Sequence, residues 1–220
     1  MPERRTRRSR RPFPDARSRP TVAARITVHP LTPDRWPDLE ALFGPKGAYG
    51  GCWCMFFRRP RSEWSAGCAD LGAGNKRAFK KITKAGEEPG LLAYVGGEPA
   101  GWCALAPREV YGGLARSRTV QPIDDQPVWS VTCFYVARPH RKQGVTVALL
   151  EAAAKFVRRK KGKILEGYPS DPKARWPDAY AYQGTVSAFE RAGFVEVKRV
   201  SKGRAIMRRA LPPGGGRPRS

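Results

Sequence analysis

One short basic turn, at residues 141–147, contains the residue types best suited to chemistry. It consists of Arg141, Lys142, Gln143, Gly144, Val145, Thr146 and Val147. An apolar stretch precedes the turn and a helical pattern follows Gly144. Free N–H groups at the start of a helix bind anions, and the helix dipole adds about half a positive charge there. The turn therefore predicts a site for a phosphorylated ligand, while an ordinary strand–turn–helix with basic surface residues stays open as the alternative.

Strand and helix patterns alternate on both sides of this turn. Apolar runs predict strands at residues 25–28, 91–95, 99–106, 128–136, 163–167, 194–200 and 204–210. Helical spacing predicts helices that begin near Thr32, Asn75, Gly144 and Thr185, of which the third ends near Lys161. Residues 168–183 are interpreted as a loop or insertion. Strands that alternate with helices, with hairpins on either side, predict a mixed α/β sheet.

Two motifs in this frame resemble those of the GNAT superfamily of N-acetyltransferases. The first is a strand followed by Arg141-Lys142-Gln143-Gly144-Val145-Thr146, in which Thr146 departs from the usual Gly or Ala. The second is Phe189-Glu190-Arg191-Ala192-Gly193-Phe194, an aromatic residue followed after three others by Gly-Phe. The stronger resemblance covers residues 128–197, and the order of elements agrees more weakly over residues 25–210.

The resemblance implies a fold and a co-substrate. The implied fold is a mixed, mostly antiparallel central sheet flanked by helices, with acetyl-CoA in the split between strands 4 and 5. Backbone groups of Phe134, Tyr135 and Val136 would face the acetyl and pantetheine arm. Amides of residues 142–147 would hold the pyrophosphate. The family usually transfers the acetyl group directly to an amine, so a cysteine nucleophile is not required.

The residues that would move protons are harder to assign. The family often uses a Tyr as general acid at the position that Phe189 occupies here, and Phe cannot donate a proton. Tyr168, Tyr180 and Tyr182 are alternatives, and each is also explained by loop packing. Glu166, near the end of a strand that would flank the co-substrate, is the first candidate for the base. Asp124 and Asp125 are the others, although formation of a turn before Pro127 is the favoured explanation for them.

The run Gly51-Cys52-Trp53-Cys54-Met55-Phe56-Phe57 has an unusual composition. A Cys-x-Cys pair binds soft metals only when further ligands complete the set. Cys68 and His29 are the nearest additional ligands in sequence, so we expect no metal. The run is interpreted as lining either the acceptor pocket or the core.

Composition and charge restrict the class of protein. The 220 residues carry a formal charge of +23, and the first 20 contribute eight arginines against Glu3 and Asp15. The remainder is therefore also basic, at +17, which favours anionic partners. The sequence has no apolar run long enough to predict a membrane span. Five cysteines and no secretory signal predict reduced thiols and a cytoplasmic protein.

The predicted organisation is a disordered basic tail at residues 1–24, an acetyltransferase domain at 25–211 and a flexible tail at 212–220. The arginine tail predicts weak, non-specific contact with nucleic acid. The cluster Arg158-Arg159-Lys160-Lys161 is interpreted as a solvated helix end, with contact to a phosphate as the alternative.

These observations predict an N-acetyltransferase that acts on the primary amine of a small molecule. Two alternatives stay open: acetylation of a protein terminus or lysine, and a non-catalytic module that binds coenzyme A or nucleic acid. Phe189 and Thr146 are the residues that keep the non-catalytic alternative open. A homodimer is compatible with all three.

Overall fold

Seven strands form one sheet in a computed structural model that describes residues 25–171 and 182–212. The strands are β1 (Ile26–Pro30), β2 (Gly90–Val95), β3 (Glu98–Pro107), β4 (Trp129–Val136), β5 (Ile164–Gly167), β6 (Val195–Ser201) and β7 (Arg204–Ala210). The predicted N-terminal tail, most of the predicted C-terminal tail and Tyr180 lie outside the described residues.

The sheet has the order β1-β2-β3-β4-β5-β7-β6. Every neighbouring pair is antiparallel except β4 and β5, which are parallel. The prediction of a mixed, mostly antiparallel sheet is therefore confirmed. The parallel pair needs a long connection, which the helix after β4 provides.

Six helices accompany the sheet: α1 (Trp36–Phe43), α2 (Arg61–Gly67), α3 (Ala69–Lys84), α4 (Gly112–Ala115), α5 (Val145–Arg159) and α6 (Val186–Arg191). The side chains of β2 show on which face of the sheet each helix packs, because successive residues of a strand point to opposite sides. Leu92 and Tyr94 pack with residues of α1 and α3. Leu91 and Ala93 pack with residues of α5 and α6. The sheet is thus the middle of three layers.

The helix boundaries differ from the sequence prediction at a few places. The predicted helix from Asn75 begins earlier, at Ala69, but Asp70, Leu71 and Gly72 have left-handed backbone angles and interrupt its first turn. Helices α2 and α4 were not predicted, because both are short and lack a clear apolar period. No helix among residues 25–171 and 182–212 is both long and apolar enough to cross a bilayer.

Candidate functional site

The sheet opens between β4 and β5. These strands pair only over Trp129–Leu165, Ser130–Glu166 and Val131–Gly167. Strand β5 ends at Gly167, whereas β4 continues to Val136 and stays paired with β3. Within the described residues, no strand pairs with the second half of β4 on its β5 side. That edge therefore presents backbone N–H and C=O groups to a ligand.

An irregularity in β4 marks where the split begins. Ala104 of β3 lies opposite Cys133, but the next residue, Leu105, lies opposite Val131. The extra residue, Thr132, is a β-bulge, which bends a strand and increases its twist. The bulge thus coincides with the point at which β4 leaves β5.

The predicted basic turn follows β4 directly and leads into α5. Gly144 is the N-cap residue of α5, with φ 82° and ψ 1°, and no side chain caps the helix. The first hydrogen bond of the helix runs from the Ala148 N–H to the Gly144 carbonyl at 3.0 Å. The N–H groups of residues 145–147 precede it and have no acceptor within the helix. They are donors without a side-chain cap at the open end of the split.

The side chains of the turn leave those donors accessible. Arg141 Nε donates to the Val136 carbonyl at 3.2 Å, and Gln143 Nε2 donates to the Pro139 carbonyl at 2.7 Å. Residues 141–144 are all exposed. Lys142 has a positive φ of 61°. The two cations are therefore held beside the helix start and stay in contact with solvent.

Packing against the sheet fixes the direction of α5. Val145 is buried, and a Cβ added to Gly101 of β3 would lie 2.6 Å from its Cγ1 atom. Phe134 packs on the same face, while Tyr135 packs on the opposite face against Phe43. The predicted residues Val136, Thr146 and Val147 are half-buried. The structure thus gathers all ten predicted co-substrate residues around one end of β4.

Glu166 lies inside an ion-pair network on the face of β5 that points away from α5, and it is 1% exposed. Arg108 Nη1 donates to its Oε1 at 2.9 Å, and Arg208 Nε donates to its Oε2 at 2.7 Å. The Tyr168 hydroxyl also donates to Oε1, at 2.7 Å. Arg208 extends the network to the surface by binding Asp124 at 2.6 Å. The carboxylate is therefore compensated by two guanidinium groups.

Tyr168 is fully buried in the same network. Its oxygen lies 2.8 Å from Ser130 Oγ and accepts a short hydrogen bond from Arg108. Burial raises the pKa of the Tyr168 hydroxyl, and the negative charge of Glu166 raises it further. The structure thus brings together two of the residues predicted from sequence. Glu166 and Tyr168 are hydrogen-bonded to each other, and each also bonds to further side chains of the protein.

The sequence analysis did not identify Ser130 or the two charged partners of Glu166 in this network, Arg108 and Arg208. Arg208 lies in β7 two residues after the buried Ile206 and therefore on the same, inward face of the strand. A charge at such an inward position is the signal that could have found it, since buried charges are paired. Arg108 follows β3 and carried no comparable signal. Asp125, the other predicted carboxylate of the turn, is exposed.

The aromatic run lies in the core. Trp53 is buried and stacks on Trp36 with ring centroids 6.0 Å apart. Trp102 Nε1 donates to Cys54 Sγ at 3.1 Å. Burial raises the pKa of the Cys52 thiol to about 11, so it stays a thiol at neutral pH. In the described part of the chain, no three His, Cys, Asp or Glu side chains are grouped as a metal site.

Two cavities lie away from the split. One, of about 310 Å³, is an open depression beside β1 and β2 that includes His29, Asp38 and Tyr94. The other, of about 190 Å³, lies beside the end of α5 and includes Trp129 and Phe156. Neither includes a residue predicted to bind the co-substrate.

The sequence was compared with known families and proteins. The Acetyltransferase (GNAT) family matches residues 53–175, which is more than half of the chain. No curated protein shows significant sequence similarity to it.

Solved structures of similar fold include three acetyltransferases. A protein described as histone acetyltransferase HPA2 and related acetyltransferase, from Corynebacterium glutamicum, is 19% identical, covers 87% of this chain and 98% of its own, and has a TM-score of 0.47. The paiA N-acetyltransferase from Thermoplasma acidophilum, solved with coenzyme A, is 12% identical, with coverages of 84% and 99% and a TM-score of 0.47. Aminoglycoside acetyltransferase AAC(6')-Ib, solved with coenzyme A and kanamycin, is 17% identical, with coverages of 84% and 95% and a TM-score of 0.48. Values this low assign neither an activity nor a substrate to this chain.

Proposed function

The chain belongs to the GNAT acetyltransferase family, and from that membership we propose that it transfers an acetyl group from acetyl-CoA to the primary amine of a small molecule. The observation that carries the proposal is the uncapped start of α5 at the open end of the split between β4 and β5. Acetyl-CoA supplies an acetyl thioester, whose carbonyl carbon accepts the amine.

The residues at the split fit this co-substrate. The N–H groups of residues 145–147 would hold the pyrophosphate, because a helix N-terminus favours anions. Gly144 leaves the approach open, since a Cβ there would meet no atom within 4 Å. Arg141 and Lys142 add positive charge to the same turn. The unpaired edge of β4 at Phe134, Tyr135 and Val136 would bind the amide groups of the pantetheine arm.

The transfer forms an N–C bond and breaks the C–S bond; the amine releases one proton to solvent, and the departing thiolate takes one from a protein group that solvent then reprotonates. We propose Tyr168 as the proton donor and Glu166 as the group that positions it. Burial and the negative charge of Glu166 raise the pKa of Tyr168, so its hydroxyl carries its proton at neutral pH. Glu166 accepts its hydrogen bond and is anchored by two arginines.

Phe189 supports the assignment of the donor to a different residue. It is fully buried and packs against Phe134 and Phe194 with ring centroids 6.1 and 4.8 Å apart. A phenyl ring has no hydroxyl, so this position cannot donate a proton. If Tyr168 does not act either, the chain would bind the co-substrate without turning it over, which is the non-catalytic alternative.

The surface on the acceptor side favours a small amine. Cys133 and Tyr135 of β4 are only half-buried there, and they pack against α1 and the aromatic run. We propose that these side chains contact the acceptor, and their aromatic and apolar character would suit a compact amphipathic amine. The basic charge of the chain further favours an amine that also carries an anionic group.

The test is a thiol-release assay with acetyl-CoA and a panel of small amines, run beside a lysine-containing peptide. We expect amine-dependent release of coenzyme A with at least one small amine and little with the peptide. A Tyr168→Phe variant should bind acetyl-CoA normally and turn over more slowly. Release with the peptide alone would show a protein acetyltransferase. Binding without release on either substrate class would show the non-catalytic alternative.

A further inference from the structure

The end of α5 opposite the basic turn carries a dense group of cations. Arg158, Arg159, Lys160, Lys161 and Lys163 occur within six residues, and all five are exposed. Only Lys160 forms an ion pair with a described residue, to Glu88 at 2.7 Å. Cations in the last turn of a helix offset its dipole, but Lys161 and Lys163 lie beyond that turn.

A second helix ends at the same place. The ion pair between Lys160 and Glu88 joins the end of α5 to the connection between α3 and β2. Lys84, the exposed last residue of α3, precedes Glu88 by four positions. We call the surface formed by Lys84, Arg158, Arg159, Lys160, Lys161 and Lys163 the basic end.

The carboxylates that face the basic end do not neutralise it. Glu88 is paired with Lys160, and Glu87 lies 3.5 Å from Arg58. Glu88 therefore compensates one cation of the basic end, and Glu87 compensates Arg58, which lies outside it. Within the described residues, Lys84, Arg158, Arg159, Lys161 and Lys163 have no carboxylate within 4.0 Å. Five like charges thus share one small area without internal compensation.

From this surface we propose that the folded domain binds the sugar–phosphate backbone of nucleic acid at the basic end, independently of its N-terminal arginine tail. Arginine and lysine side chains contact phosphates without reading sequence, and each contact releases a counterion. The proposal replaces the interpretation of residues 158–161 as a solvated helix end.

Two other anionic partners fit the basic end less well. Protein interfaces are centred on buried aromatic or apolar anchors. Among the exposed large apolar side chains of the described residues, only Val110 lines the cavity beside the basic end. A membrane surface would likewise require apolar side chains that insert between lipids. A phosphate backbone requires only the cations.

The basic end is separate from the proposed acetyltransferase site. Strand β4 runs from Trp129, beside the end of α5, to Val136, next to the basic turn. Its eight residues span roughly 23 Å at about 3.3 Å per residue. Loss of one function therefore does not imply loss of the other.

The test compares two full-length variants that remove the same charge. The first variant carries R158Q, R159Q, K161Q and K163Q. The control carries R77Q, R118Q, K198Q and K202Q, at exposed positions elsewhere. Both keep the N-terminal tail, so its contribution cancels. The measurement is fluorescence anisotropy of a labelled oligothymidylate between about 50 and 200 mM salt, with thermal melts and acetyl-CoA binding to confirm that each variant is folded.

We expect the first variant to bind the oligonucleotide at least about tenfold more weakly at 100 mM salt, with a salt slope reduced by up to about 2.8. The control should change less than about threefold. Equal weakening in both variants, or no binding by the wild type, would overturn the proposal. So would equal competition by polyglutamate, which would show an acidic protein partner. Selective loss of binding to phosphatidylserine vesicles without loss of oligonucleotide binding would show a membrane partner.

Discussion

Replacement of Gly144 by Asp tests the proposed co-substrate site most directly, with Gly144→Asn as the matched control. Both side chains have the same shape, and both meet open space because no atom lies within 4 Å of an added Cβ. Both also occupy a backbone with φ 82°, which Asn and Asp tolerate better than other residues. The two variants therefore differ only in charge.

The structure sets the size of the expected effect. Backbone strain should cost both variants no more than about 1–2 kcal/mol of folding free energy. The carboxylate of the Asp variant would lie beside the N–H groups proposed to hold the pyrophosphate. At roughly 6 Å and an effective dielectric constant near 40, it repels each phosphate charge by about 1.4 kcal/mol. Two charges thus weaken binding roughly a hundredfold.

Calorimetry with acetyl-CoA at low salt measures this difference. We expect the Asn variant to bind within a few-fold of the wild type and the Asp variant to lose most of its affinity. Equal affinity of the Asp variant and the wild type would refute the placement of the pyrophosphate at the turn. An equal loss in both variants would show that backbone shape, rather than charge, controls binding there.

Three further predictions concern the network and the packing around the site. Glu166→Gln should lower the free energy of unfolding by about 3 kcal/mol, because it leaves Arg108 without a counter-charge and Arg208 with only Asp124, and acetyl-CoA affinity should change little. Urea titration measures the first effect and calorimetry the second. Hydrogen bonding to Arg208 lowers the pKa of Asp124, so this carboxylate stabilises the fold above its unfolded pKa of about 3.8, and the contribution is lost as the pH falls below that value. Asp124→Asn should therefore destabilise at pH 7 and progressively less as the pH falls through the folded-state pKa of Asp124, whereas Asp125→Asn, at an exposed side chain, should leave the stability at pH 7 unchanged. Gly101→Ala should lower the free energy of unfolding by about 1–3 kcal/mol, because the added Cβ would overlap Val145 of α5. A thermal melt measures the effect, and an unchanged melting temperature would show that the helix can shift away from the added methyl group.

Sequence reasoning succeeded where the interactions are local. The helix after the turn was expected from residue 144 to 161 and runs from Val145 to Arg159. The strands were placed within one or two residues, since alternation and apolar runs record which side of the sheet each residue faces. The aromatic run shows the limit of this reasoning. Left-handed angles at Trp53 and Cys54 turn its side chains into the core, and no residue type in the run predicted those angles.

The sequence by itself determined the order of the strands and longer helices, the family and the turn that starts α5, because each depends on residues close together in the chain. The surroundings of Glu166 were decided only by the tertiary structure, since its partners Arg108 and Arg208 lie 58 and 42 positions away. The same is true of the basic end. Its cations were visible in the sequence, but only the folded chain shows that two helices end together there and that few carboxylates face them. The charges around Glu166 and at the basic end come from segments that are distant in the sequence. Only the pairing of strands and the packing of helices bring those segments together.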